Sequence, residues 1–304
     1  MSVIRTLWEG VYPAATTQFA EDLSVDYDAT QRVQSALVDD GVTGLIILGT
    51  CGENNSLEPD EKRNVLKGAV EAVAGRVPVV AGVSEFTTAR AIQYAKDAEK
   101  LGADAIMLLP AMVYVPTPEE LQAHFRAVAE ATSLPVMLYN NPPAYRVDVD
   151  FATLEALRDV PNIVAIKESA PDPRRFTDVF NRFDDRYTVM AGLDDVALEG
   201  LFLGASGWVS GLTSAFPTES VRLVEAFNEG KYDEALAIYR WFMPLLHLDA
   251  DHDLVQSIKL AEEIMGRGSE RVRMPRLPLA GQRRKDVIAM VEKCAATQPS
   301  KIAA

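Results

Sequence analysis

The segment NIVAIKES at residues 162–169 places a lysine at the end of an otherwise apolar run. Ile163 to Ile166 are typical of a buried strand, and Lys167 follows on the same segment. Removal from water disfavours the charged form of an ammonium group and lowers its pKa, so a buried lysine is either paired or serves as an amine nucleophile. A lysine that extends to solvent or pairs with Glu168 is the structural alternative on this stretch alone.

Two other apolar runs end in groups that suit amine chemistry: LPVMLYNNPP contains Tyr139, and LGTCGEN contains Thr50, Cys51 and Gly52. A lysine that adds to the carbonyl of a 2-oxo acid forms an imine, which then serves as an electron sink. Each proton transfer in that chemistry needs a nearby acid or base, and Tyr139 with Thr50 is expected to supply a relay. The backbone N–H groups of the glycine-containing turn are expected to bind the substrate carboxylate.

Each of these groups also has a structural interpretation. Tyr139 taken alone fits a core aromatic residue whose hydroxyl bonds a carbonyl, and Gly49 with Gly52 fits a strand-to-helix turn. Cys51 is expected to be a small buried residue, because the sequence places no histidine or basic group beside it to generate a thiolate. Only the combination of these residues at matching strand ends favours catalysis.

Eight short apolar runs, beginning near residues 11, 44, 77, 105, 134, 162, 187 and 207, alternate with amphipathic segments such as those at 88–102 and 118–132. The runs are apolar enough to be covered on both faces, and no GxGxxG follows the first, so the pattern predicts a closed (β/α)₈ barrel. Active sites of such barrels lie where the strands end, so the three strand ends are expected to converge.

We predict a catalytic barrel over residues 1–230 and a helical extension over 231–304 that packs on it. The segments YDEALAIYRWFMPLLHL, DLVQSIKLAEEIMG and GQRRKDVIAMVEKCAA have helical patterns, and no low-complexity linker separates them from the barrel. The apolar run from Trp241 to Met243 either covers the barrel or forms a subunit contact.

Composition limits the possible partners. The chain has 30 lysines and arginines against 44 aspartates and glutamates, a formal charge of −14, so nucleic acid is not an expected partner. Two cysteines and three scattered histidines offer little for a disulfide framework or a metal site, and no metal or cofactor is expected. No apolar run reaches the roughly 18 residues of a membrane span, and the start does not resemble a signal peptide, so a cytoplasmic location is expected.

The motifs LGTCGEN, MLYNNPP, IVAIKES and AGLDD resemble those of the dihydrodipicolinate synthase and N-acetylneuraminate lyase superfamily of lysine-dependent aldolases and hydro-lyases. The resemblance covers nearly the whole chain and implies a (β/α)₈ barrel with a helical C-terminal extension, usually assembled as a homotetramer. It makes Lys167 the Schiff-base lysine, Tyr139 the proton relay, and Thr50 with Cys51 the carboxylate-binding turn. The further substrate-binding positions are expected at Gly52, Asn141, Gly192 and Val209.

Two positions depart from the family pattern. The synthase carries an arginine that binds the carboxylate of its second substrate, whereas Ala144 stands at that position here and Arg146 lies two residues further on. The paired tyrosines after strand four are replaced by LPAMVYVPTPEEL, with Val113 at the aligned position and Tyr114 beside it. Either Tyr114, which we count as a substrate-binding residue, replaces the tyrosine that reaches across a subunit interface, or the relay is shorter.

Loss of the arginine argues against condensation of pyruvate with aspartate semialdehyde and favours a one-substrate reaction. The stretches WEGVYPAATTQF, NNPPAYRVDV, FMPLLHLDA and LVQSIKLAEEIMGRG resemble the Δ1-pyrroline-4-hydroxy-2-carboxylate deaminases of hydroxyproline breakdown. That resemblance implies a Schiff-base deaminase and dehydratase that acts on a cyclic imino acid and forms 2-oxoglutarate semialdehyde and ammonia. A 2-keto-3-deoxy sugar acid dehydratase or a pyruvate-dependent aldolase is the alternative, and a non-catalytic sensor of 2-oxo acids is a third hypothesis.

Overall fold

The computed structural model describes residues 7–111 and 113–298. Its eight strands are all parallel and form one sheet in the order β1-β8-β7-β6-β5-β4-β3-β2. The strands are β1 (Gly10–Pro13), β2 (Leu45–Ile47), β3 (Val79–Val83), β4 (Ala105–Leu108), β5 (Val136–Asn140), β6 (Ile163–Glu168), β7 (Thr188–Ala191) and β8 (Gly207–Ser210). A parallel bridge between Ala14 and Ile46 joins the first strand to the second and closes the sheet. The predicted (β/α)₈ barrel is therefore confirmed.

Helices alternate with the strands and continue after β8. They are α1 (Tyr27–Asp39), α2 (Pro59–Val73), α3 (Thr88–Lys100), α4 (Pro118–Ala129), α5 (Pro142–Tyr145), α6 (Phe151–Ala156), α7 (Arg174–Phe183), α8 (Ala197–Phe202), α9 (Pro217–Asn228), α10 (Tyr232–Ala250), α11 (Leu254–Ile264) and α12 (Gly281–Ala296). None of the described helices is long and apolar enough to cross a bilayer.

Helix α4 shows how local sequence sets these elements. Thr117 precedes it and accepts the Glu120 N–H at 3.3 Å, while the Glu120 carboxylate accepts the Thr117 N–H at 2.8 Å. This reciprocal capping box, followed by Pro118 at the first helical position, fixes the start of the helix. Leu121 and Phe125 then recur at helical spacing and are buried against the barrel.

Side chains alternate between two apolar layers along the strands, because successive residues of a strand point to opposite faces. One layer lies between the sheet and the helices. The other fills the barrel interior and includes Trp8, Tyr12, Ile46, Val80, Met107, Met137, Tyr139, Met190 and Val209. Tyr139 thus belongs to the interior layer, at the strand ends where a (β/α)₈ barrel places its active site.

The C-terminal helices cover the barrel near β8. Phe242 on α10 is fully buried, with its ring centroid 6.5 Å from that of Trp208 on β8 and 5.6 Å from that of Phe216. Edge-to-face aromatic contacts of this kind stabilise beyond the apolar area that they bury. Of the two expectations for the run from Trp241 to Met243, the structure shows that its central residue covers the barrel.

Candidate active site

Lys167 lies at the C-terminal end of β6 and is only 5% exposed. Its Nζ is 4.1 Å from the centroid of the Tyr139 ring, and no carboxylate of residues 7–111 or 113–298 lies within ion-pairing distance of it. The lysine therefore neither extends into solvent nor pairs with its neighbour Glu168. A buried amine that no anion neutralises has the environment of a nucleophilic lysine.

Glu168 is instead used to fix the register of β5 and β6. Its buried carboxylate accepts from the Asn140 side chain at 2.9 Å and from the Arg175 guanidinium at 2.5 Å. Burial raises the pKa of Glu168, while Arg175 acts in the opposite direction. The same register pairs Tyr139 directly with Lys167, so the two strands present the phenol and the amine side by side.

A chain of hydroxyl groups leads away from Lys167. The Tyr145 hydroxyl forms a short hydrogen bond with Thr50 Oγ1 and interacts electrostatically with Tyr139, and the two tyrosine rings meet edge to face at 5.4 Å. Burial is the main cause that raises the pKa of both phenols, so both stay protonated at neutral pH. Thr50, Tyr145 and Tyr139 thus bring three hydroxyl groups together within one chain, and Tyr145 is a residue of this group that the sequence analysis missed.

The single-turn helix α5 brings Tyr145 into this position. Asn141 caps it, accepting the Ala144 N–H at 3.0 Å, and Pro142 supplies the backbone angle of the first helical residue. The Asn141 side chain also donates to the Tyr139 hydroxyl at 3.0 Å. Asn141, predicted as a binding residue, therefore holds the Tyr139 hydroxyl and starts the turn that returns Tyr145 to it.

The turn after β2 is bracketed by two strained residues, Leu48 and Glu53, which adopt φ values of 57° and 52° without being glycine. Within the described ranges, the backbone N–H groups of Thr50 and Cys51 have no acceptor. Gly52 is closely packed, since a Cβ there would lie 2.6 Å from the Leu48 nitrogen. The turn thus leaves two N–H donors for a carboxylate, and its strain is typical of functional sites.

A buried ion pair from the C-terminal extension holds this turn in place. The Lys259 ammonium on α11 binds the Glu53 carboxylate at 3.0 Å and the Thr17 carbonyl at 2.8 Å, and both charged side chains are fully buried. The other Glu53 oxygen accepts the Arg273 N–H at 3.0 Å. Burial is the first cause that lowers the pKa of Lys259, and Glu53 opposes it.

Two connected cavities open above these residues. A narrow inner cavity is lined by Ala14, Gly49, Thr50, Cys51, Met107, Tyr139, Asn141, Ala144, Tyr145, Lys167, Gly211, Asp249 and Leu254. An outer cavity shares Thr50, Asn141, Ala144, Tyr145, Asp249 and Leu254 with it and extends to His252 and Arg276. The structure thus brings together Lys167, Tyr139, Thr50, Cys51 and Asn141 among the predicted site residues.

The other predicted site residues lie outside the lining of the inner cavity. Gly192 packs on the lysine stem, since a Cβ there would lie 2.5 Å from Lys167 Cγ. Val209 is fully buried in the barrel interior, and Gly52 lies within the turn, packed against the Leu48 backbone. Tyr114 is 61% exposed, so within one chain Tyr145 and not Tyr114 contacts the Thr50 hydroxyl.

Asp249, near the end of α10, is the second residue that the sequence analysis missed. Its carboxylate lies so close to Gly211 that a Cβ there would collide with Oδ1. Burial raises the pKa of Asp249 to about 6, and the Lys167 charge acts against that rise. Asp194 itself is satisfied by Trp208, Ser210 and the Leu212 N–H.

In the described part of the chain, no three His, Cys, Asp or Glu side chains are grouped to hold a metal ion. The buried thiol of Cys51 has a pKa raised mainly by burial, which disfavours a thiolate nucleophile. The chemical groups of the site are therefore an amine, three hydroxyls, two backbone donors and one carboxylate.

The model of the dihydrodipicolinate synthetase family matches residues 7–294. The chain is 38% identical over 236 residues to the 4-hydroxy-tetrahydrodipicolinate synthase of Desulforamulus reducens, covering 77% of this chain and 80% of that protein. It is 32% identical over 280 residues to the protein of the same name from Methanocaldococcus jannaschii, covering 92% and 96%. One similar solved structure is that of YagE, a prophage protein of the dihydrodipicolinic acid synthase family from E. coli K12, in complex with pyruvate. It superposes on this chain with a TM-score of 0.89 at 28% identity, and the match covers 95% of this chain and 99% of YagE.

Proposed function

This chain belongs to the dihydrodipicolinate synthetase family, and from that premise we propose that it is a lysine-dependent lyase that forms a Schiff base with pyruvate or a longer 2-oxo acid. The observation that carries the proposal is the placement of the unpaired Lys167 amine beside Tyr139, in a cavity that the Thr50-Cys51 turn also lines. An amine nucleophile, a proton relay and a carboxylate site are the three parts that imine chemistry on a 2-oxo acid requires.

The proposed reaction begins when the neutral amine of Lys167 adds to C2 of the substrate. The Thr50 and Cys51 N–H groups hold the substrate carboxylate, and Tyr139 donates a proton to the departing C2 oxygen, which leaves as water and gives the iminium. The high pKa of Tyr139 makes its phenolate a strong base, which suits it to remove the C3 proton. The resulting enamine adds to an aldehyde in an aldolase, or forms by C3–C4 cleavage in the reverse direction.

The comparison with YagE supports pyruvate as the common part of the substrate. The relatives described above are named 4-hydroxy-tetrahydrodipicolinate synthases, and the similar structure of YagE was solved with pyruvate bound. These relatives favour the hypothesis that this chain is a pyruvate-dependent aldolase. Its partner aldehyde is expected to carry no carboxylate of its own. Ala144 lines the cavity at the position where the synthase pattern has an arginine that binds such a group.

Borohydride trapping with pyruvate tests the proposal. Reduction of the imine should attach the three pyruvate carbons to the protein, and peptide mass spectrometry should locate them on Lys167. A Lys167→Ala variant should gain no mass, whereas Lys96→Ala, which changes an exposed lysine on α3, should be labelled like the wild type. Label on other lysines only, or no label, would refute the proposed nucleophile.

Deamination of Δ1-pyrroline-4-hydroxy-2-carboxylate is the second candidate, favoured by Ala144 and by the carboxylate of Asp249 in the cavity. Lys167 would add to C2 and open the ring, which frees the nitrogen as an amine on C5. Loss of a C3 proton and expulsion of the C4 hydroxyl follow, and tautomerisation makes the C5 amine an imine. Water then releases ammonia from C5 and the 2-oxo acid from Lys167, giving 2-oxoglutarate semialdehyde.

Coupled assays separate the two candidates. An NADP-linked semialdehyde dehydrogenase reports deamination as NADPH formation, and lactate dehydrogenase reports pyruvate released from 2-keto-3-deoxy sugar acids by an aldolase. Deamination is supported by NADPH formation that requires Lys167, and it is excluded if the imino acid is trapped on Lys167 without release of semialdehyde or ammonia.

A homotetramer is also proposed, as in the sequence analysis. The exposed run of Val113, Tyr114 and Val115, each more than half exposed, supports a subunit contact on this side of the barrel, since exposed apolar runs mark interaction surfaces. Light scattering of the wild type and of Tyr114→Asp tests this proposal: a smaller species for the variant supports it, and a monomeric wild type refutes it.

A further inference from the structure

The turn after β2 must hold two N–H groups in one orientation if it is to bind a carboxylate. Because the N–H groups of Thr50 and Cys51 have no acceptor in the described ranges, no hydrogen bond of their own fixes them. Their direction depends on the backbone on either side. Glu53 ends the turn with a φ of 52°, a conformation that few residues other than glycine adopt, so the contacts of this residue decide how the turn is held.

Glu53 is anchored through its side chain. The carboxylate is fully buried and binds the Lys259 ammonium with one oxygen, at 3.0 Å. The other oxygen accepts the Arg273 N–H at 3.0 Å. Strained backbone persists only where the surrounding contacts over-determine it, and two donors on a buried carboxylate supply such contacts. The side chain of Glu53 therefore fixes the end of the turn.

A second set of contacts ties the turn to the segment that follows β1. Thr17 Oγ1 donates to the Gly52 carbonyl at 2.8 Å, and Lys259 Nζ binds the carbonyl of the same threonine at 2.8 Å. Lys259 thus holds the turn by two routes, one through the Glu53 carboxylate and one through Thr17.

The geometry of this pair matters more than its energy. Lys259 lies on α11 of the C-terminal extension, 206 residues beyond Glu53, and both charged side chains are fully buried. A buried ion pair contributes little net stability, because the removal of both charges from water offsets their attraction. The pair does determine where the end of the turn lies, and the two free N–H groups precede that end by two and three residues.

We infer that Lys259, acting through Glu53, is a positioning residue for the carboxylate of the substrate, because it orients the N–H groups of Thr50 and Cys51. The inference rests on the proposed Schiff base and deepens it: the C-terminal extension sets the preference for ketones that carry a carboxylate at the neighbouring carbon. Lys259 lines neither the inner nor the outer cavity, so its effect reaches the substrate only through the turn.

Pyruvate and acetone test the inference, because both present a methyl ketone to Lys167 and only pyruvate has a carboxylate. The concentration that gives half-maximal borohydride labelling of Lys167 is measured for each ketone by peptide mass spectrometry. The wild type should be labelled at a lower concentration of pyruvate than of acetone. The ratio of the two concentrations reports the carboxylate site, whereas a loss of folded protein affects labelling by both ketones alike.

The variant Lys259→Met removes the ammonium group and keeps an unbranched side chain. It should raise the half-maximal pyruvate concentration by about 10- to 100-fold, as expected for loss of a hydrogen bond to a charged group, and leave that of acetone unchanged. The double variant with Glu53→Gln buries no unpaired carboxylate, so it should regain part of the stability but not the affinity for pyruvate. Lys62→Met is the matched control, since it breaks the buried Lys62–Glu85 pair, joined at 2.6 Å, and should keep both wild-type concentrations.

The other outcomes overturn the inference in distinguishable ways. If Lys259→Met weakens labelling by both ketones equally, or if the double variant regains the affinity for pyruvate, the pair only stabilises the fold. If the wild type does not prefer pyruvate to acetone, the turn does not bind the carboxylate. If neither ketone labels Lys167, the proposed Schiff base fails first and the inference fails with it.

Discussion

Replacement of Tyr145 by phenylalanine removes one oxygen atom from the middle of the proposed relay. The hydroxyl bonds Thr50 and interacts electrostatically with Tyr139, so its loss interrupts the proposed path between them at a single point. The ring remains and still packs edge to face on Tyr139 at 5.4 Å, so the folded structure is expected to persist. The variant therefore changes proton transfer and not packing.

The expected effect follows from the role of the hydroxyl. A positioned acid or base contributes about 10²- to 10⁴-fold to the rate of a proton transfer, which corresponds to about 3–5 kcal/mol of activation free energy. The assay is exchange of the pyruvate methyl protons in D₂O, followed by proton NMR, because this exchange needs only the imine and removal of the C3 proton. Tyr145→Phe should slow exchange by that factor, while borohydride still labels Lys167.

Tyr114→Phe is the matched control, since it makes the same substitution on an exposed tyrosine outside the cavity. It should exchange pyruvate protons at the wild-type rate. If Tyr145→Phe retains wild-type exchange and Tyr114→Phe slows it, the relay passes through Tyr114, as expected for a tyrosine contributed across a subunit interface, and the single-chain relay is refuted.

Three further predictions follow from the buried charges. Lys167→Ala should abolish pyruvate exchange while the thermal unfolding temperature stays near that of the wild type, because no ion pair to Lys167 is lost; retained exchange would exclude this lysine as the nucleophile. Lys259→Met should lower the free energy of unfolding by about 3–5 kcal/mol in urea titrations, because it removes the ammonium group that pairs with the fully buried Glu53 carboxylate. The double variant with Glu53→Gln should recover part of the loss. An unchanged urea midpoint for the single variant would contradict a structural role for the pair. Glu262, bonded to Thr16 at 2.8 Å, has a pKa raised by burial from 4.5 to about 7, so its contribution to stability is fully present below pH 4.5 and is lost as the pH rises to about 7. The free energy of unfolding of the wild type should therefore fall relative to that of Glu262→Gln between these pH values, and a constant difference would show that Glu262 does not titrate there.

The barrel could be predicted from the sequence because its signals are local. Eight apolar runs and their intervening amphipathic segments require only the side-chain periods of strands and helices, and the predicted helical segment GQRRKDVIAMVEKCAA coincides with α12 at Gly281–Ala296. The sequence also predicted Lys167, Tyr139 and Thr50, because a (β/α)₈ barrel brings the C-terminal ends of all its strands together at one face. The division into a barrel and an extension at residue 230 stays a prediction.

Tyr145 and Asp249 could not be predicted from the sequence, for two different reasons. Tyr145 follows a strand end by five residues, and only the turn of α5 brings it back to Tyr139; the signal that was available is Asn141 followed by two prolines, which predicts a short helix start. Asp249 lies on a helix of the extension, where a carboxylate is typical of the solvent face. Its position in the cavity depends on how α10 docks on the barrel, which no local pattern encodes.

The most direct measurement is a crystal structure of the protein after reduction with borohydride in the presence of pyruvate. The account predicts continuous density from Lys167 Nζ to C2 of the adduct, with its carboxylate bound by the N–H groups of Thr50 and Cys51 and with the Tyr139 hydroxyl next to C3. An unmodified Lys167, or an adduct whose carboxylate binds elsewhere in the cavity, would contradict the assignment of the nucleophile or of the carboxylate site.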